Sequence, residues 1–224
     1  MVVEAHNNAA YDIRDGTINV IGLDDTYFSV TPQEVFLQPL EGKNLLNPEG
    51  GRQFVEFYGN AFSLFENADE YEGNYFLKAR YRSTMDFSDT VCVSSQPYQV
   101  YDQGCTIEAQ KSYSGQGAPL AITAMDEVVL PNEGVEFRFT LSGKGEGIVE
   151  DVRVVHAQLG GEELGCAFQG TTGGREVRFT SDEPEQVLIC RKQVFAQSSY
   201  STTLSVSFDY TYSWERQEKL HLVR

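Results

Sequence analysis

Thr203-Leu204-Ser205-Val206-Ser207-Phe208-Asp209-Tyr210-Thr211-Tyr212-Ser213-Trp214 alternates polar and apolar residues without a break. Period two is the mark of a β-strand that buries one face and solvates the other. The same alternation carries Val135, Phe137, Phe139 and Leu141 between Glu136, Arg138 and Thr140, and in the first half it carries Tyr75, Leu77, Ala79 and Tyr81. No comparable pattern marks a reaction centre. The chain therefore reads as all-β. With 224 residues, 14 Phe and 12 Tyr, it can fill two cores of about 100 residues each, the usual size of an immunoglobulin-like domain. The expected architecture is two tandem immunoglobulin-like antiparallel β-sandwiches.

Working outward, short apolar runs bounded by turn-formers predict strands at 17–21, 34–37, 53–58, 74–82 and 90–94. A polar crossing loop at 42–52 contains Pro48, Gly50 and Gly51, and an acidic connector at 60–73 has room for one helical turn. The pattern lapses from Cys105 to Ala118, which places the boundary there: residues 1–111 form a first sandwich, 112–118 a linker, and 119–224 a second sandwich. Strands in the second are expected at 119–130, 135–142, 148–159, 164–169, 176–180, 185–191, 202–214 and 218–223, with 204–214 central and Gly143-Lys144-Gly145-Glu146-Gly147 a flexible hairpin. Val2 to His6 already reads as a strand, so the natural chain is expected to extend upstream of Met1. In that case the first sandwich lacks a strand and has an open edge able to accept one from another chain.

The four cysteines, Cys92, Cys105, Cys166 and Cys190, contain no C-x-x-C, a spacing that argues against a zinc site. Pairing by proximity joins Cys92 to Cys105 and Cys166 to Cys190, one bridge in each half. Each closure stabilises by about 3 to 3.5 kcal/mol in the loop-entropy picture. Such bridges belong to an oxidising compartment, so the expected location is extracellular or at the cell surface.

Charge narrows the partners. The chain holds 33 acidic and 17 basic residues for a net charge of −16, and only six of the basic residues are lysine. Nucleic acids and anionic membranes are poor partners for such a surface. No stretch approaches the roughly 18 to 20 apolar residues of a membrane helix, so no direct membrane insertion is expected of this segment.

The stretch Ala118-Pro119-Leu120-Ala121-Ile122-Thr123, the strand and loop from Gly134 to Gly145, and Ser207-Phe208-Asp209-Tyr210-Thr211-Tyr212 resemble CARDB-like immunoglobulin modules, adhesion-related domains of bacteria and archaea. Asn8, Tyr11-Asp12-Ile13, Gly22-Leu23-Asp24, Glu41-Gly42-Lys43 and Pro48-Glu49-Gly50-Gly51 resemble the module that precedes them in archaeal cell-surface proteins. The resemblance covers nearly the whole chain. It implies stalks, spacers or assembly units that contact other protein chains of the cell surface, self-assembly included, and it supplies no catalytic residues.

The chemistry-bearing residues point the same way. His6, His156 and His221 lie far apart, with His156 on the apparent core face of Val152 and Val154. No G-x-S-x-G surrounds a serine. Gly143, Gly145 and Gly147 imitate a phosphate loop but lack the Lys-Ser/Thr and the helix such a loop needs. Two carboxylates would suffice for a glycosidase, yet nothing singles out a pair among the 33 acids. Asp24, Asp25, Glu66, Asp69, Glu70 and Glu72 offer hard oxygen ligands in loops, and calcium is the cation they would suit. Tyr58, Phe62, Phe65, Tyr71 and Tyr75 are expected to pack a core rather than stack on sugars. These observations lead to a non-enzymatic extracellular structural or adhesive module of an envelope protein or filament, bearing no catalytic or cofactor site. The alternative is a carbohydrate- or calcium-binding accessory domain of a secreted enzyme.

Overall fold

The structure is a computed structural model that describes residues 1–64, 69–94, 104–130, 134–171, 174–180, 183–193 and 199–224. It is all-β, with no helix among the described residues. In chain order the strands are β1 (Val2–His6), β2 (Arg14–Ile21), β3 (Phe28–Thr31), β4 (Glu34–Phe36), β5 (Arg52–Glu56), β6 (Tyr58–Ala61) and β7 (Glu70–Val93). They continue with β8 (Gln110–Ser112), β9 (Leu120–Leu130), β10 (Gly134–Gly143), β11 (Ile148–Leu159), β12 (Glu162–Glu163), β13 (Gly165–Phe168), β14 (Glu176–Arg178), β15 (Glu185–Lys192) and β16 (Tyr200–Val223).

The compact units are divided differently from the expected tandem. Unit 1 comprises Met1–Ser83 together with Thr211–Arg224, and unit 2 is Thr84–Tyr210. The reason lies in two strands of 24 residues each. Sequence reading ended one at Arg82 because polar Ser83 and Asp89 fall on the apolar parity, but Met85, Phe87, Val91 and Val93 continue that parity and are buried. The other continues past Trp214 through Glu215, Arg216 and Gln217 without a break. The stretch expected to be a linker is likewise structured at its start: β8 pairs with β9, setting Lys111 opposite Met125 and Ser112 opposite Ala124.

Unit 2 contains a five-stranded sheet in the order β13–β15–β10–β9–β8, and a second group in the order β12–β11–β16–β7 with β14 alongside β11. Phe137, Phe139 and Leu141 of β10 and Leu204, Val206 and Phe208 of β16 are fully buried, as their alternation requires. Burial of each such side chain contributes about 1.5–3 kcal/mol. Phe87 meets Phe139 edge-on with ring centres 5.8 Å apart, a contact between the two sheets. A register shift between Thr140 and Leu141 changes the inward parity of β9, so Ile122 and Met125 are both fully buried although three residues apart. In β11 the inward set passes from Val152 and Val154 to Ala157 and Leu159, leaving His156 exposed rather than on the core face. The Gly143–Gly147 turn links β10 to β11, which belong to different sheets, so it is a crossing between sheets and not a hairpin.

Cys92 is bonded to Cys105 and Cys166 to Cys190, and none of the four is free. These are the pairings expected from proximity, one in each half of the sequence, and both fall within unit 2. The second joins directly opposed residues of β13 and β15 with a Cα–Cα distance of 4.0 Å.

Unit 1 is built from two small sheets, β1–β5 and β3–β6, and the order β16–β7–β2–β4. Its buried cluster is Ile18, Val20, Val30, Val55 and Phe57. The turn from β1 is fixed by Asn7, buried to 1% exposure, whose Nδ2 donates to the carbonyls of Tyr11 and Leu40 while Oδ1 accepts from the amide of Ala9. Gly50 adopts φ +78°, and a Cβ there would sit 2.0 Å from the backbone carbonyl oxygen of Asn7, so only glycine lets the loop close against that residue.

Candidate functional site

The alternation that builds β7 and β16 also builds a groove of about 540 Å³ in unit 1. Tyr75, Leu77, Ala79 and Tyr81 present one parity of β7, and Tyr212, Trp214, Arg216 and Glu218 present one parity of β16. Across from them stands β1, with Val3 and Ala5 directed to the same space. Most of the β7 set is only half-buried, so this apolar face is not fully covered by the unit's own side chains. Tyr81 and Tyr212 lie with ring centres 5.4 Å apart and planes tilted by 45°.

Polar groups sit at one end. Arg216 pairs with Glu218. Burial raises the Tyr75 phenol above its ordinary value, the Glu218 carboxylate raises it further, and the Arg216 charge opposes both. Tyr75 therefore stays a hydrogen-bond donor at neutral pH. At the other end His6 Nε2 lies 2.7 Å from the Glu49 carbonyl, and Arg52 reaches Glu4 at 3.6 Å and Glu49 at 3.1 Å. Aromatic faces together with a few charged groups are what an amphipathic ligand needs, because ring faces take its apolar surface and the charged ends orient its polar substituents.

Among the described residues, the acids expected to be calcium ligands are not gathered into one group. Asp24 spends Oδ1 on the amide of Thr26 in a tight turn, and Asp25 is exposed beside it. The Asp69 carbonyl accepts from the amide of Arg224, and Glu70 lies 3.3 Å from His221. Glu72 borders a small hollow with Lys219 and His221. Glu66 lies outside the described residues. Among the described residues no three His, Cys, Asp or Glu side chains gather into a metal-binding group. The aromatics also divide: Tyr58 and Phe62 are exposed instead of packing a core, Tyr71 stacks on Tyr27 at 4.4 Å, and Phe65 lies outside the described residues.

Sequence reading missed the groove residues because Tyr212 and Trp214 looked like ordinary core positions. The signal lay in the next two residues of the same parity, Arg216 and Glu218, charges that no closed core would hold. No family model, curated protein or solved structure matches this chain.

Proposed function

We propose that the chain is a non-enzymatic structural or adhesive module of an extracellular or cell-surface protein, of the kind the CARDB-like resemblance implies. The observation that carries this reading is the pairing of all four cysteines into two disulfides within one all-β unit. Disulfides persist in oxidising compartments and are reduced in most cytosols. The acidic surface fits the same setting, since a net charge of −16 keeps neighbouring molecules apart and disfavours nucleic acid. Labelling of the protein on intact cells, combined with thiol counting on the extracted material, tests it. Surface label with no reactive thiol is expected; protein in the cytosol with four reduced cysteines overturns it.

One observation favours a second reading, carbohydrate binding. Tyr81, Tyr212 and Trp214 line an open groove beside the Arg216–Glu218 pair, and aromatic faces with nearby charged groups are suited to sugar rings. Trp214 is the only tryptophan in the chain, so its fluorescence reports on the groove alone. A saturable change on titration with oligosaccharides, lost in Tyr212→Ala, supports this reading, and a flat response across a glycan array removes it.

A further inference from the structure

One cluster in unit 2 is used by neither reading. Lys111 on β8 directs Nζ to Asp89 Oδ2 at 2.9 Å and to the Thr90 carbonyl at 2.8 Å. Tyr113, two residues along on the same face of the chain, donates its hydroxyl to the same Asp89 Oδ2 at 2.7 Å. Asp89 Oδ1 accepts from the amide of Thr90 at 2.7 Å. Both ion-pair partners are largely withdrawn from water, with side-chain exposures of 18% and 26%.

The fourth member is Glu127. Since Lys111 is opposite Met125, Glu127 is its diagonal neighbour on the adjacent strand, with its amide bonded to the Ala109 carbonyl. Glu127 is 5% exposed, and its Oε1 is buried with no hydrogen-bond partner. A buried acid left unsatisfied in this way calls for an explanation. Burial pushes its carboxyl up to about 7, against the opposing charge of Lys111, so at neutral pH it exists as both proton donor and acceptor.

We propose that Lys111 and Asp89 are joined by an amide bond between Nζ and Cγ, formed by condensation within folded unit 2 with Glu127 as the proton relay. The step is balanced without any co-reactant. The C–N bond forms, the Cγ–Oδ2 bond breaks, and Oδ2 leaves as water carrying the two protons that the ammonium gives up. Nothing is oxidised or reduced. In free solution this condensation is disfavoured because both partners are charged and dilute. Here the 2.9 Å contact holds the amine against Oδ2, the oxygen bonded to Cγ, a positioning worth about 10⁵ M or more in effective concentration. The Thr90 amide is aimed at Oδ1, where negative charge develops in the tetrahedral intermediate. The Tyr113 hydroxyl is aimed at the leaving oxygen, and burial, reinforced by the hydrogen bond to the Asp89 carboxylate, drives its pKa well up, so it remains protonated. Glu127 takes the proton that frees the amine and returns it to the departing oxygen. Glu108 also faces the lysine, 3.8 Å from Nζ.

Intact mass spectrometry of the full chain after disulfide reduction decides the matter. The expected mass is one water below that of the sequence, and proteolysis should yield one branched peptide containing both Lys111 and Asp89, with no cleavage after Lys111. Lys111→Arg, which retains a cation opposite Asp89, should have the sequence mass and serves as the folded control. Glu127→Gln should form the bond about a hundredfold more slowly or not at all. A wild-type mass equal to that of the sequence, after prolonged incubation at neutral pH, overturns the proposal. So does a water loss that maps to an aspartate cyclised on its own backbone instead of a branched peptide. Bond formation at the wild-type rate in Glu127→Gln overturns the relay. None of these outcomes depends on where the protein resides or what its groove binds.

Discussion

Unit 2 and unit 1 are written in the same alternating pattern yet hold themselves together differently. In unit 2 the apolar faces close on one another, and Phe137, Phe139, Leu188, Leu204 and Phe208 have no exposure. Both disulfides are there as well. In unit 1 a smaller cluster, Ile18, Val20, Val30, Val55 and Phe57, is buried, and the apolar face of β7 remains half-open to a groove. Alternation specifies which side of a strand is apolar; it does not specify that a second layer will cover it. One unit uses its apolar face for cohesion, and the other retains part of that face as available surface.

The sharpest way to break this contrast is to empty the closed core. Phe208→Ala should cost about 3–5 kcal/mol in denaturant unfolding, whereas Leu77→Ala on the half-open face should cost less than about 2 kcal/mol. Equal losses would mean that the groove face is as tightly packed as the core. Removal of the Cys166–Cys190 bridge by double substitution to alanine should cost about 3 kcal/mol, seen as a lower melting temperature in unreduced protein.

Glu127 gives unit 2 a pH dependence. Its folded-state value near 7, against an ordinary 4.5, means that the folded chain holds a proton the unfolded chain has released. Stability should therefore fall as pH rises from about 4.5 through about 7 and level off above, by roughly 3 kcal/mol in all. Glu127→Gln should flatten that slope in urea titrations performed across the range; an unchanged slope would show that the carboxylate is better solvated than its burial indicates. At the small end, Leu45→Ser and Leu46→Ser alter fully exposed side chains of unit 1 and should shift stability by less than about 0.5 kcal/mol.

The all-β class was legible because Leu204 to Trp214 and Val135 to Leu141 admit no other period. Strand ends were less so. Ser83 and Asp89 are polar residues on an inward parity, and a reading that follows only apolar side chains stops at them although the backbone ladder does not. Asp89 occupies that position because Lys111 and Tyr113 satisfy it, and partners at such sequence distances are invisible until strands are paired. For the same reason the strand pattern lapses to the eye through Glu108-Ala109-Gln110-Lys111-Ser112-Tyr113, and the linker is expected to begin at Ser112. It has few apolar residues, but Lys111 and Tyr113 face inward by period two, with Tyr113 packed edge-on against Phe87 at 4.9 Å. The placement of the acids was hidden on the same ground: those crowded in sequence at Asp24–Asp25 and Asp69–Glu72 lie, among the described residues, on separate turns and strand faces.

The two long strands carry a consequence for biosynthesis. Unit 2 is one contiguous segment, Thr84–Tyr210, while unit 1 needs Thr211–Arg224 to supply its part of β16. On the ribosome the residues of unit 2 all emerge before the last segment of unit 1 does. The N-terminal 83 residues must therefore wait, with the β7 face of Tyr75, Leu77 and Tyr81 lacking its β16 neighbour, while the inserted unit folds ahead of the one that began first. At a synthesis rate of about 5–20 residues per second that delay lasts roughly 7 to 28 seconds, long enough for a chaperone or a nascent neighbour to find the uncovered strand.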